Sequence, residues 1–364
     1  MYMEELVVTA LILIMTLLLG RVLFFHIPSL AIKSEKNSLL KKVSVIIPAR
    51  NEEGNLPVLL KSLHGYHGKV KEIIVVDDHS TDDTVKVART LGARVVKLED
   101  LPAGWFGKSF GCWNGALRAS GELFLFLDAD TIISENGLEN MLTAYKGEGE
   151  VLSVQPYHKI KEKYESLSSF FHLVVMGSLG AFHILQKWLP VKGAFGACLL
   201  IHRQDYFKYG GHQAIQGELM ENMAFGFQVQ KHGGKVRCYS GMGAIEMRMY
   251  PEGFGSLWNG WSKSFATGAS RTNIWYLMLV CIWLGGLMTF LTSYQTLPLE
   301  LYVIGYVLIA LHIKRTLAII GNFGWGTALL FPFHLLFFFI LFGYSCVQTF
   351  FKKNVTWKGR KIDL

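Results

Sequence analysis

The chain lacks the glycine signatures of the commonest nucleotide enzymes. No G-x-G-x-x-G follows its first strand-like run and no G-x-x-x-x-G-K-[ST] occurs, which counts against a dinucleotide-binding Rossmann domain and a P-loop ATPase. Its five cysteines, Cys112, Cys198, Cys238, Cys281 and Cys346, fall at no metal-type spacing. They are expected as buried reduced thiols. No internal repeat or low-complexity tract is present. Charge is scarce too: 18% of residues are charged against 51% hydrophobic, with a mean hydropathy of +0.30. That is too apolar for an ordinary soluble enzyme.

The apolar excess is concentrated at the two ends. Leu6 to Phe25 is long enough to cross a bilayer, and its one charge, Arg21, lies near an end where it can snorkel. Glu4 and Glu5 precede this run, and Lys33, Lys36, Lys41 and Lys42 follow it. A signal peptide would have a basic start, so the run reads as an anchor, with the N-terminus outside and the following domain in the cytoplasm. Beyond Ser270, three or four further membrane segments are expected, within Ile274 to Tyr294, Leu299 to Ile313 and Phe331 to Phe351. The basic tail argues for a cytoplasmic end and so for an even number of crossings, one segment being re-entrant, interfacial or split around Gly324 and Gly326. The expected division is a membrane helix (1–26), a basic linker (27–42), a soluble domain (43–270), three or four membrane segments (271–351) and a basic tail (352–364). This describes a multi-pass protein of the cell membrane. The net charge of +8 suits contact with anionic lipid heads and not nucleic acid.

From Val43 onward, short β-branched runs such as "VSVIIP", "EIIVVDD" and "RVVKL" alternate with helical segments. Continuous apolar strands separated by helices indicate a mostly parallel α/β sheet covered on both faces, with ligands beyond the carboxyl ends of its strands. Those ends carry Pro48 to Glu53, then Asp77, Asp78 and His79, and finally Asp128 and Asp130 of "LFLFLDADT". Helix capping accounts for Asp82 and Asp83 as readily as function does. Two carboxylates at the end of an apolar strand repel each other, and they suit a hard divalent cation that bridges to a diphosphate. Between the third and fourth strands, Lys108 stands at a helix start, where an ammonium and the helix N-terminus are placed to meet a phosphate together, although simple solvation accounts for a lone lysine there as well.

In order and spacing, "VSVIIPARNEEGNL", "EIIVVDDHSTDDT", "GELFLFLDADT" and "GACLLIHRQDYFKYGGH" resemble the family 2 glycosyltransferases of the GT-A fold, over about Val43 to Gly268. The resemblance implies a Rossmann-like, mostly parallel sheet, a nucleotide-diphosphate sugar donor, a divalent cation (Mn or Mg) and inversion at the anomeric carbon. By motif, Pro48, Glu52 and Asp78 would hold the nucleoside. Asp128 and Asp130 would be the D-x-D, with Asp130 the more direct metal ligand and Lys108 near the donor phosphates. Narrower matches, including "GWFGKSFGCWNGA", "AFGACLL" and "RMYPEGFGSLWNGWSKSFATGA", are similar to bacterial enzymes that glycosylate the carboxylate of C30 carotenoids. That similarity implies UDP-glucose as donor and a membrane-dissolved polyene acid as acceptor. Gly193, Phe195, Gly196, Trp258 and Trp261 are then expected in the acceptor region, although interfacial anchoring explains the tryptophans equally well.

The sequence departs from the family in two places. The acceptor-side Glu-Asp pair appears as Glu221-Asn222, so an amide replaces the usual base, and Glu221 or Glu218 is left to supply one. The Q-x-x-R-W of processive polysaccharide synthases is absent; only Trp261 fits. Two other readings stay open at this stage. One is a glycolipid synthase using a hydroxyl or polyprenyl-phosphate acceptor; the other is a silent sugar-nucleotide-binding scaffold.

Overall fold

The computed structural model describes residues 2–31, 38–184, 191, 193–218, 220–352, 355–357 and 360–362. Lys33 and Lys36 of the basic linker, and Lys353 and Lys358 of the tail, lie outside the described residues. Chain contacts divide the protein into an α/β unit (Pro28–His158 and Val191–Arg248) and a helical unit (Met1–Ile27, Lys159–Pro190 and Met249–Leu364). Each unit is therefore assembled from separate stretches of chain.

In chain order the strands of the α/β unit are β1 (Val43–Ala49), β2 (Glu72–Asp77), β3 (Arg94–Lys97), β4 (Leu123–Leu127), β5 (Thr131–Ile133), β6 (Glu150–Gln155), β7 (Tyr157–His158), β8 (Cys198–His202), β9 (Lys235–Ser240) and β10 (Ile245–Met247). Seven of them form one sheet in the order β3-β2-β1-β4-β8-β6-β9, and the short strands make a second sheet, β5-β10-β7. Only β8 runs antiparallel to its neighbours β4 and β6 in the large sheet. All five residues of β4 are buried, as are five of the six in β2. This is why their sequences read as unbroken apolar runs instead of alternating ones. Ligand-facing side chains can then lie only past the strand ends.

The helix Gly107–Arg118 is set unusually close to the sheet. A methyl group on Gly115 would fall 2.4 Å from Ile46 Cγ2, and one on Gly111 would fall 3.1 Å from Pro48 Cβ. The two glycines, one turn apart, let this helix lie directly over β1 and β2. Its first turn, which carries Lys108, is thereby positioned for the site.

Among its described residues the helical unit contains four helices long and apolar enough to cross a membrane: Met3–Leu23, Ile274–Gln295, Leu299–Ile320 and Phe331–Thr349. Of the three or four segments expected after Ser270, three have that length; around Gly324 and Gly326 the chain makes only the five-residue helix Trp325–Leu329. Small residues set the packing of the first three. A methyl on Gly286 would fall 2.1 Å from Thr16 Oγ1, one on Gly20 would fall 2.6 Å from His312 Nε2, and one on Gly305 would fall 2.8 Å from Leu13 Cδ2. Leu13 facing Gly305 and Gly20 facing His312 make the first helix parallel to Leu299–Ile320. The second apolar helix runs antiparallel to the first, with Trp283 near Gly20 and Gly286 near Thr16.

The cysteines are free, as expected, but not all are buried. Cys112, Cys198 and Cys238 lie in the α/β core, whereas Cys281 is exposed and Cys346 half-buried. Cys281 lies on the apolar helix Ile274–Thr292, where Trp275, Met278 and Ile282 are exposed as well.

Candidate active site

β1 and β2 end side by side, with Ala49 paired to Asp77 and the Asp78 N–H donating to Ala49 O at 2.9 Å. The two following turns are braced against each other. The Asn51 N–H donates to Ser80 Oγ at 3.0 Å, and Asn51 Oδ1 accepts from the Thr81 N–H at 2.8 Å. The Glu53 N–H donates to Asp82 at 3.1 Å, and Glu53 in turn accepts from the Asp83 N–H at 2.9 Å. These bonds hold Asn51 and His79 in the left-handed region, at φ of +53° and +55°, a conformation costing about 1–3 kcal/mol for a residue with a side chain. Asp82 does serve the following helix, accepting from the Thr84 N–H and hydroxyl. Those bonds hold its carboxyl below the ordinary value, against the opposing effect of burial.

Asp78, 4% exposed, lies inside this braced edge. Arg50 Nη1 donates to its carbonyl at 3.1 Å and approaches Oδ2 at 3.4 Å, and His79 Nδ1 lies 3.3 Å from Oδ1. Of the expected nucleoside residues, Pro48 is part of β1, paired with Val76. Glu52 accepts from Asn55 Nδ2 at 2.8 Å. Arg50 was not singled out from the sequence, where a surface arginine after a strand looks like any other.

Asp128 follows directly on β4 and is fixed by its backbone. Its N–H donates to Ala197 O at 3.0 Å, and its carbonyl accepts from the Thr131 hydroxyl at 2.7 Å. Lys108 Nζ lies 2.7 Å from Asp128 Oδ1 and 3.1 Å from Glu221 Oε1, with Gly196 O at 3.5 Å. The structure thus places Lys108 between two carboxylates, and its side chain is only 24% exposed. Burial works against its charged form, but Asp128 and Glu221 outweigh it and hold the ammonium above the ordinary lysine range. Cys112, one turn further along the same helix, has its thiol pushed well up by burial, which leaves it neutral and unsuited as a nucleophile.

Asp130 has no ion pair among the described residues. Its side chain reaches solvent, yet protein crowds its carboxyl. Burial, then the charges of Asp128 and Glu52, push it up to about 7. This influence of Glu52 brings the ends of β1 and β4 into one electrostatic site. Among the described residues no group of three or more His, Cys, Asp or Glu is arranged to hold a metal ion. A site offering one or two carboxylates, with the remaining ligands from water and a diphosphate, is what Mg²⁺ and Mn²⁺ sites of this type need. Uncompensated negative charge at Asp130 fits such an ion.

Glu221 opens the helix Glu221–Lys231, and Met220 takes the cap position with no side-chain bond. Asn222 is therefore the second helical residue, and Glu218 lies ahead of the helix. The Asn222 amide packs on the backbone of Gly196, where an added methyl would fall 1.5 Å from Nδ2. Gly193 also packs on the same helix: a methyl on Gly226 would fall 2.5 Å from Gly193 Cα. Phe195 is buried, its N–H donating to Ser153 Oγ at 2.6 Å.

Sequence reasoning also passed over His212. It stacks on Phe225 at 5.5 Å, with Nδ1 2.9 Å from the Tyr206 hydroxyl. Burial first, then the charge of Lys108, lower it to about 3, so it is a neutral wall behind the Lys108 pairs. The only signal was the pair Gly210-Gly211 before it, both at positive φ, which turns the chain back on Tyr206. In the helical unit, Trp261 stacks on Phe171 at 4.8 Å and donates to Ser168 Oγ at 3.1 Å. Trp258 meets Tyr344 at 5.4 Å.

Replacing Lys108 with methionine is expected to lower stability by about 1–3 kcal/mol, less than the 3–5 kcal/mol typical of breaking a fully buried pair because all three groups touch solvent. Thermal unfolding at pH 7.5 measures this, and adding Glu221→Gln should recover part of the loss. A double variant as unstable as the sum of the singles would show that the two residues are not coupled.

A mostly parallel sheet in this order, with paired carboxylates after β4 and an acidic helix start facing them, is the arrangement of GT-A nucleotide-sugar transferases, and the chain belongs to the family 2 glycosyltransferases. Residues 44–210 match the family model for glycosyl transferase family 2. The chain is 33% identical over 337 residues to the 4,4'-diaponeurosporenoate glycosyltransferase of Staphylococcus aureus strain USA300, covering 89% of each protein. In fold it resembles a mannosyltransferase from Pyrobaculum calidifontis, solved in complex with GDP-Man and Mn²⁺, with 14% identity, a TM-score of 0.51, and coverage of 97% of this chain and 100% of that one.

Proposed function

We propose that the protein transfers a sugar, glucose in the first instance, from a UDP-sugar to the carboxylate of a C30 carotenoid acid dissolved in the membrane, with inversion. The observation that carries this reading is the 33% identity, over 89% of both chains, to an enzyme named for that acceptor. The catalytic unit is assigned to the cytoplasm, where sugar nucleotides are made.

A carboxylate oxygen of the acceptor attacks the anomeric carbon as the bond from that carbon to the diphosphate oxygen breaks. The bonding electrons leave with UDP, and the product is a glycosyl ester. No proton has to move, because a carboxylic acid with a pKa near 4 is ionised at neutral pH. Asp130, with Asp128, would hold a divalent ion, which when bound supplies neutralising charge to the diphosphate leaving group. Lys108 holds Asp128 and Glu221 in place, and the buried Asp78 with Arg50 forms the edge assigned to the nucleoside. Gly193, Phe195 and Gly196 pack against the Glu221 helix and are assigned to the acceptor side. Trp258 and Trp261 of the helical unit are assigned to the acceptor region as well, with interfacial anchoring as the other role open to them.

Purified membranes given radiolabelled UDP-glucose and either a C30 carotenoid acid or the corresponding alcohol test this reading. An alkali-labile product from the acid is expected. Transfer only to the alcohol would move the assignment to a glycolipid-type hydroxyl acceptor, and UDP binding with no transfer to any lipid would favour the scaffold.

A further inference from the structure

Near the ends of the first helix and of Leu299–Ile320, the helical unit contains a pocket of about 70 Å³, lined by Arg21, His26, His312 and Arg315 above an apolar floor that includes Phe24 and Ile319. One water molecule needs only about 10–15 Å³ of such space, so the pocket has room for more than a single water. The parallel register explains why the basic groups meet. Gly20 faces His312 closely enough that a methyl on it would fall 2.6 Å from Nε2, so the next residue, Arg21, comes level with the turn carrying Arg315. Two guanidinium groups in one pocket repel each other, and no carboxylate pairs with either among the described residues. Arg21 lies over the Phe25 ring at 5.4 Å, which orients it without neutralising it.

The surroundings set the level of the pocket. Leu11, Ile14 and Leu18 on the first helix, and Ile304, Leu308 and Leu311 on its parallel partner, are all exposed apolar residues. They form the face expected against lipid tails, and the pocket lies toward the end from which the chain leaves the first helix. Guanidinium forks match phosphate oxygens two at a time, and basic pockets between membrane helices suit lipid head groups. Snorkelling alone would account for one arginine at a helix end, but not for two arginines and two histidines converging on one pocket. We infer that this pocket seats the phosphate of an anionic phospholipid and that the bound lipid clamps the first helix to Leu299–Ile320.

The test uses the full chain in neutral detergent, with thermal unfolding followed as phosphatidylglycerol, phosphatidylcholine or inorganic phosphate is titrated in. Phosphatidylglycerol should raise the midpoint by several degrees, and Arg21→Gln/Arg315→Gln should weaken its apparent affinity about tenfold, the loss of two charge-assisted contacts. Lys61→Gln/Lys86→Gln, which removes two exposed charges from the α/β unit, should leave that affinity unchanged. Arg21→Lys/Arg315→Lys keeps the charge without the fork and should fall between. Folding of each variant is checked by stabilisation with UDP. Equal affinity in wild type and the glutamine variant would overturn the site, as would an equal loss in the Lys61/Lys86 control. Protection by inorganic phosphate or phosphatidylcholine matching that by phosphatidylglycerol would overturn the anionic lipid as occupant.

Discussion

Asp130→Asn is expected to reduce sugar transfer at least about a thousandfold, the scale of losing a main electrostatic contact to a developing leaving-group charge, with the fold left intact. The asparagine has the same shape and loses only the charge. It also removes the charge that burial, and then Asp128 and Glu52, disfavour, the effect that lifts the Asp130 carboxyl to about 7, so without metal the variant should be at least as stable as wild type near pH 8. The sign of the pH effect follows from the same shift. The folded protein holds the Asp130 proton more tightly than the unfolded chain, where an aspartate titrates near 3.9. Its contribution to stability is therefore fully present below about pH 4 and lost as pH rises through about 7. A divalent cation competes with that proton and should raise the unfolding temperature more at pH 8 than at pH 5.5. Full transfer by the variant, or by wild type in excess chelator, would refute the metal assignment; equal cation stabilisation at both pH values would refute the role of Asp130 in binding it.

The sheet and the D-x-D were legible in the sequence for the same reason. Strands buried on both faces are spelled as unbroken apolar runs, and polar residues can lie only at their ends. Asp128 and Asp130 stand out because five apolar residues precede them. What charged side chains do with one another was not legible. Lys108 at a helix start looked ready for a phosphate, but its partner Glu221 comes from a helix far along the chain, a pairing no local pattern spells out. Arg50 and His212 were missed for a related cause. Their contacts, Arg50 with Asp78 and His212 with Tyr206 and Phe225, are made in the folded chain, and single residues of these types carry no periodic signal. The membrane segments were legible by length, but the pairing of Gly20 with His312 and of Gly286 with Thr16 depends on which faces meet, and an apolar helix with no polar face does not announce this.

Asn222→Asp is expected to cut transfer to a carotenoid acid about a hundredfold, equivalent to about 2.7 kcal/mol of transition-state stabilisation, while sparing or improving transfer to an alcohol. A hydroxyl nucleophile gains from a nearby base, roughly a hundred- to ten-thousand-fold, and the position after Glu221 is where such a base would stand. Here it holds an amide. The neighbouring Glu221 has its charge engaged by Lys108 at 3.1 Å, so among these two residues neither is an unpaired carboxylate. An ionised acceptor has no proton to give up and needs orientation instead. The Asn222 amide has a hydrogen-bond donor to offer it, and close packing on Gly196 fixes that amide. An aspartate at 222 would present a second negative charge to an anionic nucleophile in a partly desolvated site, where like charges about 4 Å apart repel by up to about 4 kcal/mol. Glu221→Gln should lower transfer to the acid only moderately, through the weakened hold on Lys108, with kcat falling and the pH profile unchanged. Assaying the three proteins on the acid and the alcohol decides the point. If Glu221→Gln abolishes transfer to both acceptors, Glu221 is a base and the acceptor is a hydroxyl; if Asn222→Asp leaves transfer to the acid untouched, the amide does not face the carboxylate.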